Sequence, residues 1–220
     1  MKPIVLIGAS EHAKVVIDIV EKENKFHILG LIDDHKPAGE TLCGYPILGG
    51  TNALEDLMQR GKTTGGLVAI GDNWTRRQVV QRILARAPNF FFAQALHPSA
   101  QIARGASVGA GTVVMAGAVI NSDSRVGQHC ILNTHSSLDH DCVMGDFSSL
   151  APGAVTGGKV NIGAYSAISL GAKIIHGVSI GEQSVLGAGA LALQDIPAYS
   201  VAYGVPAKVI RARAAGEKYL

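Results

Sequence analysis

Leu132 to Gly158 reads LNTHSSLDHDCVMGDFSSLAPGAVTGG. Leu132, Leu138, Met144 and Leu150 recur at every sixth place, and Ser136, Cys142, Ser148 and Ala154 follow each of them by four. An amphipathic helix repeats its apolar face about every 3.6 residues and a half-buried strand about every 2, so neither produces this pattern. The series extends both ways without a phase slip. It runs from Ile102 through Val108, Val114, Ile120 and Val126, and on through Thr156, Ile162, Ile168, Ile174, Ile180 and Leu186 to Ala192. The small companions run likewise from Ala106 to Ala190, and Gly109, Gly127, Gly145, Gly163 and Gly181 recur every eighteen residues.

Three hexads make one triangular coil of eighteen residues. The large aliphatic residue fills the interior, and the small residue points inward where the walls leave little room. The glycines are expected to supply backbone conformations that a side chain opposes. Successive coils pair as parallel strands about 4.8 Å apart, so about five coils give a prism on the order of 24 Å tall. Cys130 and Cys142 fall in the small inward series and read as packing residues. Flat walls left bare on an isolated prism imply self-association.

Upstream the periodicity changes. Ile4–Ile7, Ile28–Ile32 and Leu67–Ile70 read as buried strands, and residues 12–23, 53–59 and 76–87 read as helices. Strands alternating with helices predict a small Rossmann-like parallel sheet over residues 1–90. A β-helix region over 91–220 follows, regular over about 102–192, with a tail over 193–220. In such sheets ligands sit beyond the carboxyl ends of the strands. Three turns there draw notice. Gly8-Ala9-Ser10-Glu11-His12-Ala13 opens a helix whose N–H groups can face an anion, although it is not a full GxGxxG. Asp33-Asp34 can accept hydrogen bonds from sugar hydroxyls, and Gly71 ends the third strand. Solvated turns are the alternative at each. Trp74 reads as a packing residue, with base stacking as its alternative.

The 220 residues are 47% hydrophobic, 16% charged and 5% aromatic, with 27 glycines and a net charge of +2. That charge gives no case for nucleic acid or an anionic membrane as partner. Cys43, Cys130 and Cys142 show no zinc or disulfide spacing, which suggests reduced thiols and a cytoplasmic location. No apolar run suits a signal segment or a membrane span, and no His/Asp cluster has metal-ligand spacing.

The hexapeptide repeat and the closing Gly204-Val205-Pro206-Ala207-Lys208 resemble the left-handed β-helix acyltransferases. GASEHAK, LIDD and AIGDN are similar to the PglD/NeuD branch of sugar acyltransferases. The resemblance covers essentially the whole chain. It implies N-acetylation of a nucleotide-linked amino sugar, such as one bearing bacillosamine or perosamine. It also implies a homotrimer with acetyl-CoA as co-substrate in the grooves between prisms. By resemblance, Ser10, Glu11, His12, Asp33, Asp34 and Gly71 fall where relatives hold the nucleotide sugar. His140 falls at the catalytic base, Asp141 at its acidic neighbour and Gly158 at the oxyanion donor. Ser149, Leu170 and Ala188 align with acetyl-CoA contacts. Two positions depart from the pattern: Ser149 stands where relatives often carry histidine, and Glu11 where glycine is common.

The residues support this chemistry in part on their own. An imidazole suits removal of a proton from an attacking amine at neutral pH, and a neighbouring carboxylate raises its pKa. His140 lies two places after an inward Leu138, on an outward position between Asp139 and Asp141, and spacing does not say which aspartate orients it. His135 is a rival. His129 and His176 read as surface residues, and His176 falls two coils from His140, roughly 10 Å away. Lys208, Arg211 and Arg213 read as solvated charge, with a CoA phosphate as the alternative. Two other functions stay open: O-acetylation of a sugar hydroxyl, and a non-enzymatic hexapeptide scaffold.

Overall fold

The computed structural model describes residues 1–63 and 65–219. It divides into two compact units, Met1–Gly71 with Thr75–Pro98, and Asp72–Trp74 with the chain from Ser99 onward.

The first unit is built on a sheet ordered β3-β4-β2-β1-β5-β6. Its strands are β1 (Lys2–Ile7), β2 (Phe26–Ile32), β3 (Thr41–Leu42), β4 (Tyr45–Gly49), β5 (Gly65–Val68) and β6 (Phe91–Phe92). All pairs are parallel except the β3–β4 hairpin. The alternation of strand and helix is as the sequence implied, with α1 (Glu11–Glu23), α2 (Thr51–Gln59) and α3 (Asn73–Arg86) as its helices. Ile4, Val5, Leu6, Leu31 and Leu67 are fully buried and form the centre of the sheet. The third strand lies two residues earlier than its apolar run suggested, because Gly66 pairs with Val5 at the start of the ladder. The β3–β4 hairpin was not anticipated. The unit runs to Pro98, past the break expected after residue 90, because β6 adds to the sheet edge.

The second unit is the left-handed parallel β-helix. Two-residue strands recur every six residues from Gln101–Ile102 to Leu191–Ala192 and sort into three walls. Call wall A the one holding Val113–Val114, Ile131–Leu132, Ser149–Leu150, Ala167–Ile168 and Val185–Leu186. Wall B holds Val119–Ile120, Ser137–Leu138, Val155–Thr156 and Lys173–Ile174. Wall C holds Arg125–Val126, Val143–Met144, Asn161–Ile162 and Ser179–Ile180. Each strand pairs in register with the one eighteen residues later, as Leu132 does with Leu150. The aliphatic series is the core: Ile120, Leu132, Leu138, Leu150 and Ile168 are completely buried, while Ile102 on the terminal coil is 38% exposed.

The inward small residues do more than save space. Ser124 Oγ donates to Asp139 O (2.5 Å) and accepts from Cys142 N (3.0 Å); Ser166 Oγ donates to Gly181 O (2.7 Å) and accepts from Ser184 N (3.1 Å). Cys130 and Cys142 are buried in these same ladders, their thiols on Gly145 O and Gly157 O. Small polar side chains thus satisfy corner backbone groups that would otherwise be buried without partners.

The role assigned to the eighteen-residue glycine series needs correction. The left-handed backbone occurs instead once per hexad at the corners, as at Asp123, His129, His135, Asp141, Phe147 and Gly153. A Cβ on Gly145 would lie 2.6 Å from Ala164 N and 3.0 Å from Gly163 C. Glycine is needed there because the next coil comes too close, not because of φ. His129 also departs from expectation. It is buried at 3% exposure and stacks on Phe147 (4.9 Å, 14°), which stacks on Tyr165 (5.6 Å, 9°), one aromatic per coil. Trp74 packs edge-on against Tyr165 at 5.8 Å.

After the last coil, Ser200–Gly204 joins wall A in parallel beside Val185–Leu186 and folds back as an antiparallel hairpin with Ala207–Ala212. Tyr219 covers Ala167, Val185 and Val201. Arg213 is not solvated as expected: it is 7% exposed and donates to Gln183 O at 3.0 Å. Among the described residues no helix is long and apolar enough to cross a membrane.

Candidate active site

His140 sits at the corner where wall B passes into wall C. Its coil carries Asp141 in the left-handed conformation (φ 57°) that closes each hexad. That turn swings the Asp141 carboxylate back onto the neighbouring ring, and His140 Nδ1 meets Asp141 Oδ2 at 2.8 Å. The pair fixes the tautomer: Nδ1–H donates to the carboxylate, and Nε2 keeps its lone pair. Nε2 has no hydrogen-bond partner among the described residues. The imidazole pKa is raised, first by this hydrogen bond and then by the charges of Asp139 and Asp141, against desolvation and the Lys159 ammonium. Both side chains are about half exposed, so this is an accessible base and contributes little to stability.

The structure decides between the two aspartates. Asp139 accepts from Asn121 Nδ2 at 2.8 Å and from the His140 backbone N–H, which hold its own pKa down. It fixes the corner, while Asp141 orients the ring.

One coil further on, Gly158 lies directly beneath the imidazole. A Cβ on Gly158 would stand 2.5 Å from His140 Cε1 and Nε2, so only glycine leaves the ring its place. Lys159 N donates to His140 O (2.9 Å) and Gly177 N to Gly158 O (2.9 Å), locking three coils in register around this point. The Gly158 N–H has no partner among the described residues. His140, Asp141 and Gly158 therefore form one cluster.

His176 belongs with them. The roughly 10 Å separation expected from two coils does not hold for the side chains: the His140 and His176 ring centroids are 6.1 Å apart at 50°. Ser122, His140, Gly158 and His176 form one corner column spaced by eighteen residues. The glycine leaves a gap across which the rings lean. That column is present in the sequence, but the repeat gives the spacing of backbones and not the reach of the side chains.

The residues matched to acetyl-CoA contacts lie elsewhere on the prism. Leu170 (58% exposed) and Ala188 stack at the corner between walls A and B. Ser149 is on wall A, where its hydroxyl meets Asn73 Nδ2 (3.2 Å) and Tyr219 OH (3.4 Å). Asn73, 1% exposed, also donates to Ser166 O at 3.1 Å. Within one chain none of the three joins His140. His135, the rival base, lies at the A–B corner against Gly117.

The first unit has its own cleft beyond the carboxyl ends of β1 and β2, lined by Gly8, Asp33, Asp34, His35, Thr75 and Arg82 among others. Gly8 (φ +104°) is required because a Cβ would press on Ile70 Cγ1 at 2.9 Å and Ala69 O at 3.0 Å. Asp33 staples the turn, accepting from Ala9 N and His35 N at 2.8 Å each. Asp34 accepts from the Thr51 backbone (2.8 Å) and hydroxyl and faces Arg82 at 3.5 Å; the Thr51 backbone bond is the main reason its pKa is lowered. Ser10 precedes α1, and its hydroxyl makes no capping bond, so it stays open to a ligand. Glu11 is exposed. His12 Nε2 is buried with no partner among the described residues, and burial, aided by the Arg76 charge, pushes its pKa down to about 4. Arg76 spends Nη1 on Ile70 O and Gly71 O, so the Gly71 carbonyl is already engaged.

Among the described residues there is no group of three or more His, Cys, Asp or Glu that could hold a metal ion.

Residues 3–83 match the family model described as the PglD N-terminal domain. Among curated proteins, the UDP-N-acetylbacillosamine N-acetyltransferase of Bacillus subtilis is 31% identical over 120 residues, 53% of this chain, and the match spans about half (52%) of that relative. Solved structures agree over nearly the full length. GDP-perosamine N-acetyltransferase of Caulobacter crescentus, a histidine-to-alanine variant in complex with CoA and GDP-perosamine, superimposes with TM-score 0.90 at 34% identity, covering 96% of this chain and 98% of the other. The acetyltransferase domain of PglB from Neisseria gonorrhoeae, in complex with acetyl-CoA, gives TM-score 0.85 at 31% identity over 95% and 99%. The fold and these likenesses agree: the chain belongs to the PglD-type family of sugar acetyltransferases.

Proposed function

We propose that this chain transfers the acetyl group of acetyl-CoA to the amine of a nucleotide-linked amino sugar, a 4-amino-4,6-dideoxy sugar being the favoured class. The observation that carries the reading is the His140 imidazole, oriented through Nδ1 by Asp141 at 2.8 Å and carrying an open Nε2 over Gly158. The amine nitrogen attacks the thioester carbonyl, Nε2 takes the amine proton, and the Gly158 N–H receives the oxygen's developing charge. The C–S bond then breaks, and the thiolate takes a proton from the imidazolium. The cleft lined by Gly8, Asp33 and Asp34 is the proposed seat of the nucleotide sugar, with Ser10, Glu11, His12 and Gly71, matched by resemblance, as its further proposed contacts.

Leu170 and Ala188 are one wall away from His140. Acetyl-CoA that touched both corners would lie between two copies, which supports a homotrimer with its sites in the grooves. Reduced Cys43, Cys130 and Cys142 and these co-substrates suit the cytoplasm. The test is thiol release from acetyl-CoA with matched GDP- and UDP-linked amino and hydroxy sugars, repeated with His140→Ala. Turnover on amino sugars that the variant loses supports the reading. Full activity of His140→Ala, or turnover on hydroxy sugars alone, refutes it.

A further inference from the structure

The corner column places a second imidazole beside His140. The Gly158 backbone is tied to the coil before it through Lys159 N and His140 O, and to the coil after it through Gly158 O and Gly177 N, both at 2.9 Å. His176 opens that next coil, and its ring centroid stands 6.1 Å from that of His140. Its backbone lies so close that a Cβ on the adjacent Gly157 would fall 2.7 Å from His176 N. The column position between the two histidines is the glycine, so no side chain on that corner stands between the His140 and His176 rings. His176 is exposed, and neither its ring nitrogens nor the Gly158 N–H has a hydrogen-bond partner among the described residues. Both rings lie within electrostatic reach of the Asp139 carboxylate.

We propose that His176 is a further catalytic residue, donating a ring N–H to the thioester carbonyl oxygen beside the Gly158 N–H. The inference rests on the reading of His140 as the base. An imidazole carries at least one N–H in either protonation state, so the role requires no particular charge on His176. The amine nitrogen bonds to the carbonyl carbon, and the C=O π pair moves onto oxygen, where the two donors receive it. The amine proton passes to His140 Nε2. As the oxygen returns its pair, the C–S bond breaks and the thiolate takes the proton from His140. One backbone N–H alone is a sparse oxyanion site, and two converging donors are the usual way such charge is held.

The test compares His176→Ala and His176→Gln with the unsubstituted chain, using acetyl-CoA with GDP-perosamine and with a UDP-linked 4-amino-4,6-dideoxy sugar. Because His176 makes no internal hydrogen bond, both variants should fold, which thermal melting checks. His176→Ala should lower kcat by about 100- to 1000-fold with little change in KM for acetyl-CoA. His176→Gln, which keeps an N–H donor, should recover a large part of the loss. An unimpaired His176→Ala, or a His176→Gln no better than alanine, overturns the proposal. Should His140→Ala be inactive while His176→Ala is unimpaired, only the role of His176 falls. If the unsubstituted chain turns over neither sugar, the function proposed above falls, and this inference with it.

Discussion

Replacing Gly158 with alanine tests the site at its tightest point. The backbone there is not in the left-handed region, so alanine meets no φ penalty. The new Cβ, however, would stand 2.5 Å from His140 Cε1 and Nε2, where ordinary contact begins at 3.4 Å. The ring must therefore retreat by about 1 Å. It is the far end of an exposed side chain and can swing outward, but the swing breaks the 2.8 Å bond from Nδ1 to Asp141 Oδ2 and moves Nε2 off the glycine N–H. Misplacing a catalytic group by about 1 Å costs on the order of 100-fold in rate, or about 2.7 kcal/mol of barrier. Stability should change by less than about 1 kcal/mol, because no buried contact is lost. The assay is steady-state thiol release from acetyl-CoA, with acetyl-CoA affinity by calorimetry and thermal melting as controls. The expected result is a large fall in kcat with near-normal melting. A Gly158→Ala protein with unchanged kcat would falsify the placement of the base over this glycine. A collapse of the melting temperature would show instead that the backbone, not the ring, absorbs the clash.

Two further outcomes follow from the same geometry. Asp141→Asn removes the carboxylate that chiefly raises the His140 pKa. Activity needs the neutral imidazole and so rises with pH through that pKa; the acidic limb of the kcat/KM profile should therefore move to lower pH, with a lower plateau from the weaker, less oriented base. An unmoved limb would count against Asp141 as the partner. Gly145→Ala should destabilise the β-helix by about 1–3 kcal/mol, because the Cβ meets the backbone at Ala164 N (2.6 Å) and neither coil can yield locally. Chemical denaturation measures it, and a neutral result would mean that the coils can part.

The fold was legible because the prism imposes a strict period. Every coil must present an aliphatic residue to the same interior, so Leu132, Leu138, Met144 and Leu150 announce three walls with no tertiary information. The parallel sheet of the first unit was legible for a different reason, in the continuous apolar runs of β1 and β2, whose strands are buried on both faces. The β3–β4 hairpin was not, since the two-residue β3 leaves no period to read and Pro46 and Gly49 interrupt the apolar pattern of β4.

The site was legible only in part. The sequence by itself placed His140 on an outward corner, because Leu138 two residues earlier must point inward, while Gly158 was named only through the family resemblance. Tertiary structure decided what side-chain reach and close approach decide. Asp141, not Asp139, holds the ring, because its left-handed φ turns the carboxylate back while Asn121 engages the other aspartate. The eighteen-residue glycines answer to the neighbouring coil's backbone, which no single-chain φ preference could reveal. His176 reaches His140 because side chains lean across a glycine gap. A repeat fixes where backbones lie; where side chains meet depends on which neighbours in the column are missing.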